Sequence, residues 1–253
     1  RLAPVLRRDY LGAGMIEPDA RDLDVNALHQ GYLGAFRRHG GTVATDAEVR
    51  TIDRRDGRWH VTTKAGPFRA AKIIDAAGAW ADEVATLAGL DPLGLVPKRR
   101  TAFTFDPPAG VDPRPMPLCF DVDEAFYFKP DAGRFLGSLG DETPSPPCDA
   151  QPEDIDVATA IERIEQATTM TVGRPVRRWA GLRCFFTDKA AAAGPDPAEP
   201  SFIWCAGQGG YGIQTSPALG ALVAAMALGK APPTFVTASG IDLGQVDPAR
   251  LAP

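Results

Sequence analysis

The sequence predicts a mixed α/β fold, part α/β and part α+β, in which an incomplete parallel-sheet lobe is interleaved with a lobe built on an antiparallel sheet. Three observations carry this reading. Lys72-Ile73-Ile74-Asp75-Ala76-Ala77-Gly78 and Ser201-Phe202-Ile203-Trp204-Cys205-Ala206 are short apolar runs that close on small residues, as buried parallel strands do where they end beside a ligand. A helical pattern follows each of them. Between them, from Pro97 onward, the texture changes to short β-like runs broken by Pro and Gly clusters, the signature of an antiparallel lobe.

The elements follow in order. Apolar residues at Val25, Leu28, Tyr32, Leu33 and Phe36 have helical spacing through Arg38, Asp24 is a suitable N-cap, and Gly40-Gly41 stops the helix. Segments Thr42–Ile52, Trp59–Thr63 and Phe68–Asp75 read as strands, separated by the turn signals Asp56-Gly57 and Gly66-Pro67. Trp80–Leu90 reads as a helix. Lys98–Phe105, Leu118–Asp121, Phe126–Lys129 and Arg134–Leu139 are the runs of the antiparallel lobe, and Pro152–Thr168 is its one clear helix. Val176–Phe186 is extended. A small-residue helix over Thr215–Leu228 ends at Gly229 and Pro232-Pro233, after which the tail reads as irregular.

Composition narrows the function. The chain has 253 residues, 44% of them hydrophobic, enough for a sizeable core. A formal net charge of -5 and a pI near 5.3 leave no basic footprint for nucleic acid or an anionic membrane, and no apolar run is long enough to span a bilayer. Cys119, Cys148, Cys184 and Cys205 are widely spaced and His29, His39 and His60 are scattered, so no metal-ligand pattern emerges and the thiols read as free thiols of a cytoplasmic protein. The expected ligand is a small molecule.

Three stretches carry chemistry. Gly207-Gln208-Gly209-Gly210-Tyr211-Gly212 fits G-x-G-x-x-G between a strand and a helix, yet no second strand with an acidic end follows to complete a dinucleotide fold. A tight strand-to-helix turn is the structural alternative. Successive glycines admit close backbone approach, and the following helix start favours something anionic or electron-rich. In Trp179-Ala180-Gly181-Leu182-Arg183 the arginine fork suits a carboxylate, or equally a buried structural ion pair. Ala76-Ala77-Gly78-Ala79-Trp80 makes room for a cofactor, or simply for close strand-helix packing.

Taken together, Ala76–Ala81, Trp179–Arg183 and Ala206–Pro217, with Asp24–Leu28 and Phe126–Asp131, resemble the FAD-dependent D-amino-acid oxidase/glycine oxidase-like superfamily in order and approximate spacing. The resemblance runs from about residue 4 to about residue 229. It implies an incomplete FAD-binding Rossmann-like lobe from 21–97 and 176–230, interleaved with a substrate-binding antiparallel lobe from 1–20 and 98–175. In that family an N-terminal strand, Gly-rich turn and helix bind the FAD pyrophosphate, and an acidic residue after the next strand holds the ribose. Neither element occurs in this sequence, which opens on Arg1-Leu2-Ala3-Pro4-Val5 without Met. The expectation is therefore a C-terminal portion of a longer product, with a degenerate paralogue as the alternative.

Carried over by residue, the resemblance assigns Val49 to the adenine and Ala77, Gly78 and Trp80 to the dinucleotide. Gly209, Gly210, Tyr211, Gly212 and Ile213 fall to the flavin edge. Arg183 is assigned to the substrate carboxylate and Tyr127 to closing over it, against a plain packing role for that ring. No protein acid-base residue is required, because the flavin accepts a hydride from the α-carbon of an amine or amino acid and the imine then hydrolyses. The alignment does not place Cys184 where some relatives attach flavin, so FAD is expected to be non-covalent. Cys184-Phe185-Phe186-Thr187-Asp188-Lys189 departs from the family's usual segment after the arginine, which leaves substrate choice open. A nicotinamide-dependent dehydrogenase and a cofactor-free remnant or binding module are the rival readings, and homo-oligomerisation is left open.

Overall fold

The computed structural model describes residues 2–251; Arg1 of the expected 1–20 segment lies outside the described residues. The fold is mixed α/β with antiparallel sheets. The chain divides into two compact units, one made of the residues through Pro18 with Pro97–Arg183, the other of Asp19–Val96 with the residues from Cys184 on.

In the second of these, helix α1 (Val25–Arg38) begins where Asp24 Oδ1 accepts the Ala27 N–H at 2.9 Å. Its apolar stripe covers no core: Val25, Tyr32 and Phe36 are each about half exposed. Strands β1 (Val49–Arg55), β2 (Arg58–Thr63) and β3 (Gly66–Ala70) form an antiparallel meander. Buried Trp59 anchors it, with Nε1 donating to Ser201 Oγ at 2.8 Å. The strand expected over Phe68–Asp75 is in fact two. Chain direction changes at Ala71-Lys72, and β4 (Ile73–Asp75) joins another sheet, where the Ile73 N–H donates to the Ser201 carbonyl at 3.0 Å. Residues 42–48, expected as strand, are irregular, with Asp46 at φ 53 breaking the extended run. A 3-10 turn over Gly78–Trp80 leads into α2 (Ala81–Leu87), which packs on β1 and β4.

The other unit carries a six-stranded antiparallel-type sheet. Its strands are β5 (Val96–Phe105), β6 (Cys119–Phe120), β7 (Tyr127–Asp131), β8 (Arg134–Ser138) and β9 (Thr143–Pro144), with β10 (Arg177–Phe185) beside β5. Helix α3 (Asp154–Ala167) covers one face, burying Ile164 against Phe103, Phe128 and Phe135. Each such ring contributes about 1.5–3 kcal/mol relative to exposure. Glycine at 137 is a packing requirement, since a Cβ there would lie 2.9 Å from Ile164 Cδ1 and from Phe103 Cζ. Residues 177–183, expected with the 21–97 lobe, instead lie in this sheet: the Val176 N–H donates to the Thr104 carbonyl at 2.7 Å, and Arg178 pairs with Asp154 at the start of α3.

In the unit of Asp19–Val96 and the residues from Cys184 on, β11 (Ala192–Pro195) runs antiparallel to β12 (Phe202–Ala206), and β12 runs parallel to β4. Helix α4 (Gly212–Ala227) packs over β11 and β12 through Val223, Ala193 and Ile203. The tail is not wholly irregular: α5 (Thr234–Thr237) and two short 3-10 turns follow.

Candidate functional site

The parallel register Ile203↔Ile74 and Trp204↔Asp75 makes β4 and β12 end side by side. The Ala77-Gly78-Ala79-Trp80 turn and the Gly207–Tyr211 loop therefore leave the same edge of one sheet. In open sheets with parallel strands, the carboxyl ends are where ligands bind. Ala77, Gly78 and Trp80 are thus brought together with the loop that runs into Ile213. Trp80, Tyr211 and Ile213 all remain well exposed, at 43%, 60% and 45%. Val49 opens β1 in the meander and belongs to a different sheet from these two loops.

The glycines of this loop are fixed by close packing. Gly207 and Gly209 have φ +74 and +54, and Cβ atoms there would come 2.4 Å from Phe186 and 2.6 Å from Phe185. The loop is pinned where the Gly209 N–H donates to the Cys184 carbonyl at 2.9 Å. Cys184 is buried, and burial pushes its thiol above the ordinary value.

Helix α4 starts on Gly212 with no side chain capping it, so its first-turn N–H groups keep their positive end exposed. Pro217 interrupts the backbone ladder, because it has no N–H for the Ile213 carbonyl. Ser216 compensates: its Oγ donates to that carbonyl at 2.9 Å.

Asp75 ends β4 and is 2% exposed. Its Oδ1 accepts the Ala77 N–H at 3.0 Å, while Oδ2 is buried without a hydrogen-bond partner among the described residues. Burial pushes this carboxyl from 3.8 up to about 7, opposed by the Ala77 bond and assisted by Asp82. The sequence reading passed over Asp75; the signal available was an acidic residue closing an otherwise apolar buried run. Asp82 was also missed. It accepts the N–H groups of Leu93, Gly94 and Leu95 at 2.7–3.1 Å and so fixes the chain after α2.

In the unit with the six-stranded sheet, Arg183 and Tyr127 lie on the face that α3 leaves open. Register rows Ala102–Ser138–Tyr127 and Thr104–Leu136–Lys129 alternate with the rows of Phe103 and Phe105 that α3 covers. Arg178 turns to α3, so the odd-numbered positions of β10, Arg183 among them, point the other way. Tyr127 stacks on Phe120 with ring centroids 6.0 Å apart. A residue not singled out in the sequence, Arg100, shares this face and is 7% exposed. Burial, and then the charge of Arg183, hold its guanidinium below the ordinary value, while Tyr127, Asp141 and Glu142 act in the opposite sense.

A family model described as FAD dependent oxidoreductase matches residues 1–226. The chain belongs to the FAD dependent oxidoreductase family. Among curated relatives of this family member, dimethylglycine dehydrogenase of Rattus norvegicus is 32% identical over 130 residues, covering 51% of the chain and 15% of that protein. Glycine oxidase from Geobacillus kaustophilus superposes with TM-score 0.65 at 24% identity, over 82% of the chain and 53% of its own. L-proline dehydrogenase from P. horikoshii gives TM-score 0.72 at 20% identity, over 88% and 58%. These two show the fold, and the chain spans only part of the length of each relative. FAD is the cofactor that membership in the family brings. The uncapped start of α4 and the orphaned Asp75 Oδ2, at the ends of β12 and β4, fit a dinucleotide with an anionic, hydrogen-bonding edge. No helix among the described residues is long and apolar enough to cross a membrane.

Proposed function

We propose that this chain serves in FAD-dependent oxidation of an amine or amino acid. The observation that carries the reading is the parallel β4–β12 pair, which delivers two small-residue loops and the start of α4 to one sheet edge. On this reading Ala77, Gly78 and Trp80 line the dinucleotide and Val49 meets the adenine. Gly209, Gly210, Tyr211, Gly212 and Ile213 hold the flavin edge, non-covalently. When bound, FAD supplies the acceptor for a hydride from the substrate α-carbon. The first-turn N–H groups of α4 hold negative charge at the loop without a mobile counter-ion. Arg183 binds the substrate carboxylate through its fork and so fixes the direction of the Cα–H bond; Tyr127 packs over the substrate. The nitrogen lone pair forms the C=N bond as the hydride leaves, and water then hydrolyses the imine.

The test is the visible absorption of the protein with FAD, before and after anaerobic addition of D- and L-amino acids, glycine and N-methylglycine. Bleaching by one member supports the reading and names the substrate class. A protein that takes up no flavin turns the balance to a binding module. Arg183→Ala is expected to raise KM for a carboxylate substrate roughly 10- to 100-fold, the loss of a charged hydrogen-bonded pair; unchanged kinetics would sink that assignment. The nicotinamide reading is disfavoured by the chain itself: α4 is followed by α5 and 3-10 turns, and among the described residues no strand completes a βαβ unit.

A further inference from the structure

Among the described residues Arg183 has no carboxylate partner, which is unusual for a half-buried guanidinium. Arg100 lies near it on the same open face of the sheet and is more deeply buried. Arg100 is tethered rather than neutralised. Its Nε donates to the Asp141 carbonyl at 2.8 Å, a neutral acceptor, and its Nη2 is 3.7 Å from a Glu142 oxygen. Glu142 is bonded more closely to Lys98, at 2.8 Å. The Asp141 carboxylate is committed elsewhere, to the Thr101 N–H at 2.7 Å and the Thr101 hydroxyl at 3.1 Å. Arg99, one residue earlier, shows a charge-compensated arginine in this sheet: it faces α3, is held by Glu153 and Asp156 and has Asp141 Oδ2 3.9 Å from its Nε.

Two guanidiniums held near each other repel; Asp141 and Glu142 offset this at Arg100, Arg183 has no carboxylate of its own among the described residues, and an anion that both can reach relieves the repulsion further. Simple packing does not call for arginine at position 100, since Ala102 and Leu136 show that the same face accepts apolar side chains.

We propose that Arg100 is a second substrate-anion residue beside Arg183, so that the preferred substrate is an amine carrying two anionic groups rather than a simple monocarboxylate. This rests on the amine-oxidation reading of the Arg183 face and narrows it. A second carboxylate and a phosphoryl group share the required chemistry. Because a guanidinium fork binds either bidentately, the probes must separate them.

Three ligands form a matched set: N-methylglycine, iminodiacetate, which adds one carboxylate to it, and N-(phosphonomethyl)glycine, which adds a phosphonate. Their binding to the full chain is measured by calorimetry, with Arg100→Met and Arg100→Lys beside the parent and near-ultraviolet circular dichroism as the check on folding. The expected result is at least ~10-fold tighter binding of one or both doubly anionic ligands than of N-methylglycine. Arg100→Met should weaken the doubly anionic ligands far more than N-methylglycine and so erase that preference; Arg100→Lys should keep part of it. The larger of the two dianion effects identifies carboxylate or phosphoryl as the group read. Equal affinities in the parent, or a preference that survives in Arg100→Met, overturn the proposal. If Arg100→Met does not fold, the parent and Arg100→Lys decide: a dianion preference that fails to weaken in Arg100→Lys and with added salt overturns it as well. Failure of the underlying reading looks different. In that case no amine bleaches the flavin and Arg183→Ala leaves N-methylglycine binding unaltered, whatever the dianion ratio.

Discussion

At the scale of single residues, Gly209 and Asp75 carry the most specific demands. Gly209 combines a left-handed φ of +54 with a Cβ position 2.6 Å from the Phe185 ring, so Gly209→Ala meets both backbone strain and overpacking. A loss of about 2–4 kcal/mol is expected, read from urea unfolding. Asp75 works in the opposite direction. Its carboxyl is raised from 3.8 to about 7, so the folded protein holds a proton that the unfolded chain has released. The stability linked to that proton is complete below about pH 4 and is lost as pH rises towards 7, since the native state binds more protons across that window. Asp75→Asn removes the titration while keeping an acceptor for the Ala77 N–H. Thermal unfolding should show it at least about 2–4 °C more stable than the parent at pH 8 and nearly equal at pH 4; a smaller difference at pH 8 than at pH 4 would contradict the assignment. The glycine pattern was legible in the sequence because only glycine tolerates such loops. Arg100 was not, and at Asp75 only the acidic end of an apolar run was, because burial and neighbouring charge come from strands far away in the chain.

At the scale of elements, periodicity served where one element decides its own shape. Asp24 caps α1 as its side-chain chemistry requires, and the alternation of β5, with Phe103 and Phe105 on one side, follows from a sheet covered on one face. It failed where two sheets compete for one run. Phe68–Asp75 is uniformly extended in pattern, yet Phe68 pairs with Val61 while Ile73 pairs with Phe202, and nothing local marks the change of partner. Helix α4 offers a test at this scale. With Pro217 unable to donate, the Ser216 hydroxyl donates to the Ile213 carbonyl, so Ser216→Ala should loosen the first turn alone. Amide hydrogen exchange is expected to quicken at Thr215 and Ser216, the amides bonded within the first turn, by roughly 5- to 10-fold, the equivalent of about 1 kcal/mol, with residues 219–227 unchanged. Uniform acceleration along the helix would show that the turn and the body open together.

At the scale of the whole molecule, the chain crosses between its two units after Pro18, Val96 and Arg183, so each unit is assembled from segments that are not contiguous. The interleaving was readable because the β-rich texture between Pro97 and Ser138 is flanked by apolar runs of another kind. Its boundary at β10 was not, since an extended run such as Val176–Phe186 does not announce which sheet it will join. The pairing of β4 with β12 also dictates an order of events during synthesis. The apolar run Ile73-Ile74 leaves the ribosome long before Phe202-Ile203, and until that strand arrives neither edge of β4 has a partner among the described residues. A chain ending before Ser201 is therefore expected to be largely insoluble and rapidly degraded by added protease, whereas the full chain resists it. For this protein the interval between the two strands is the period in which a chaperone has something to hold.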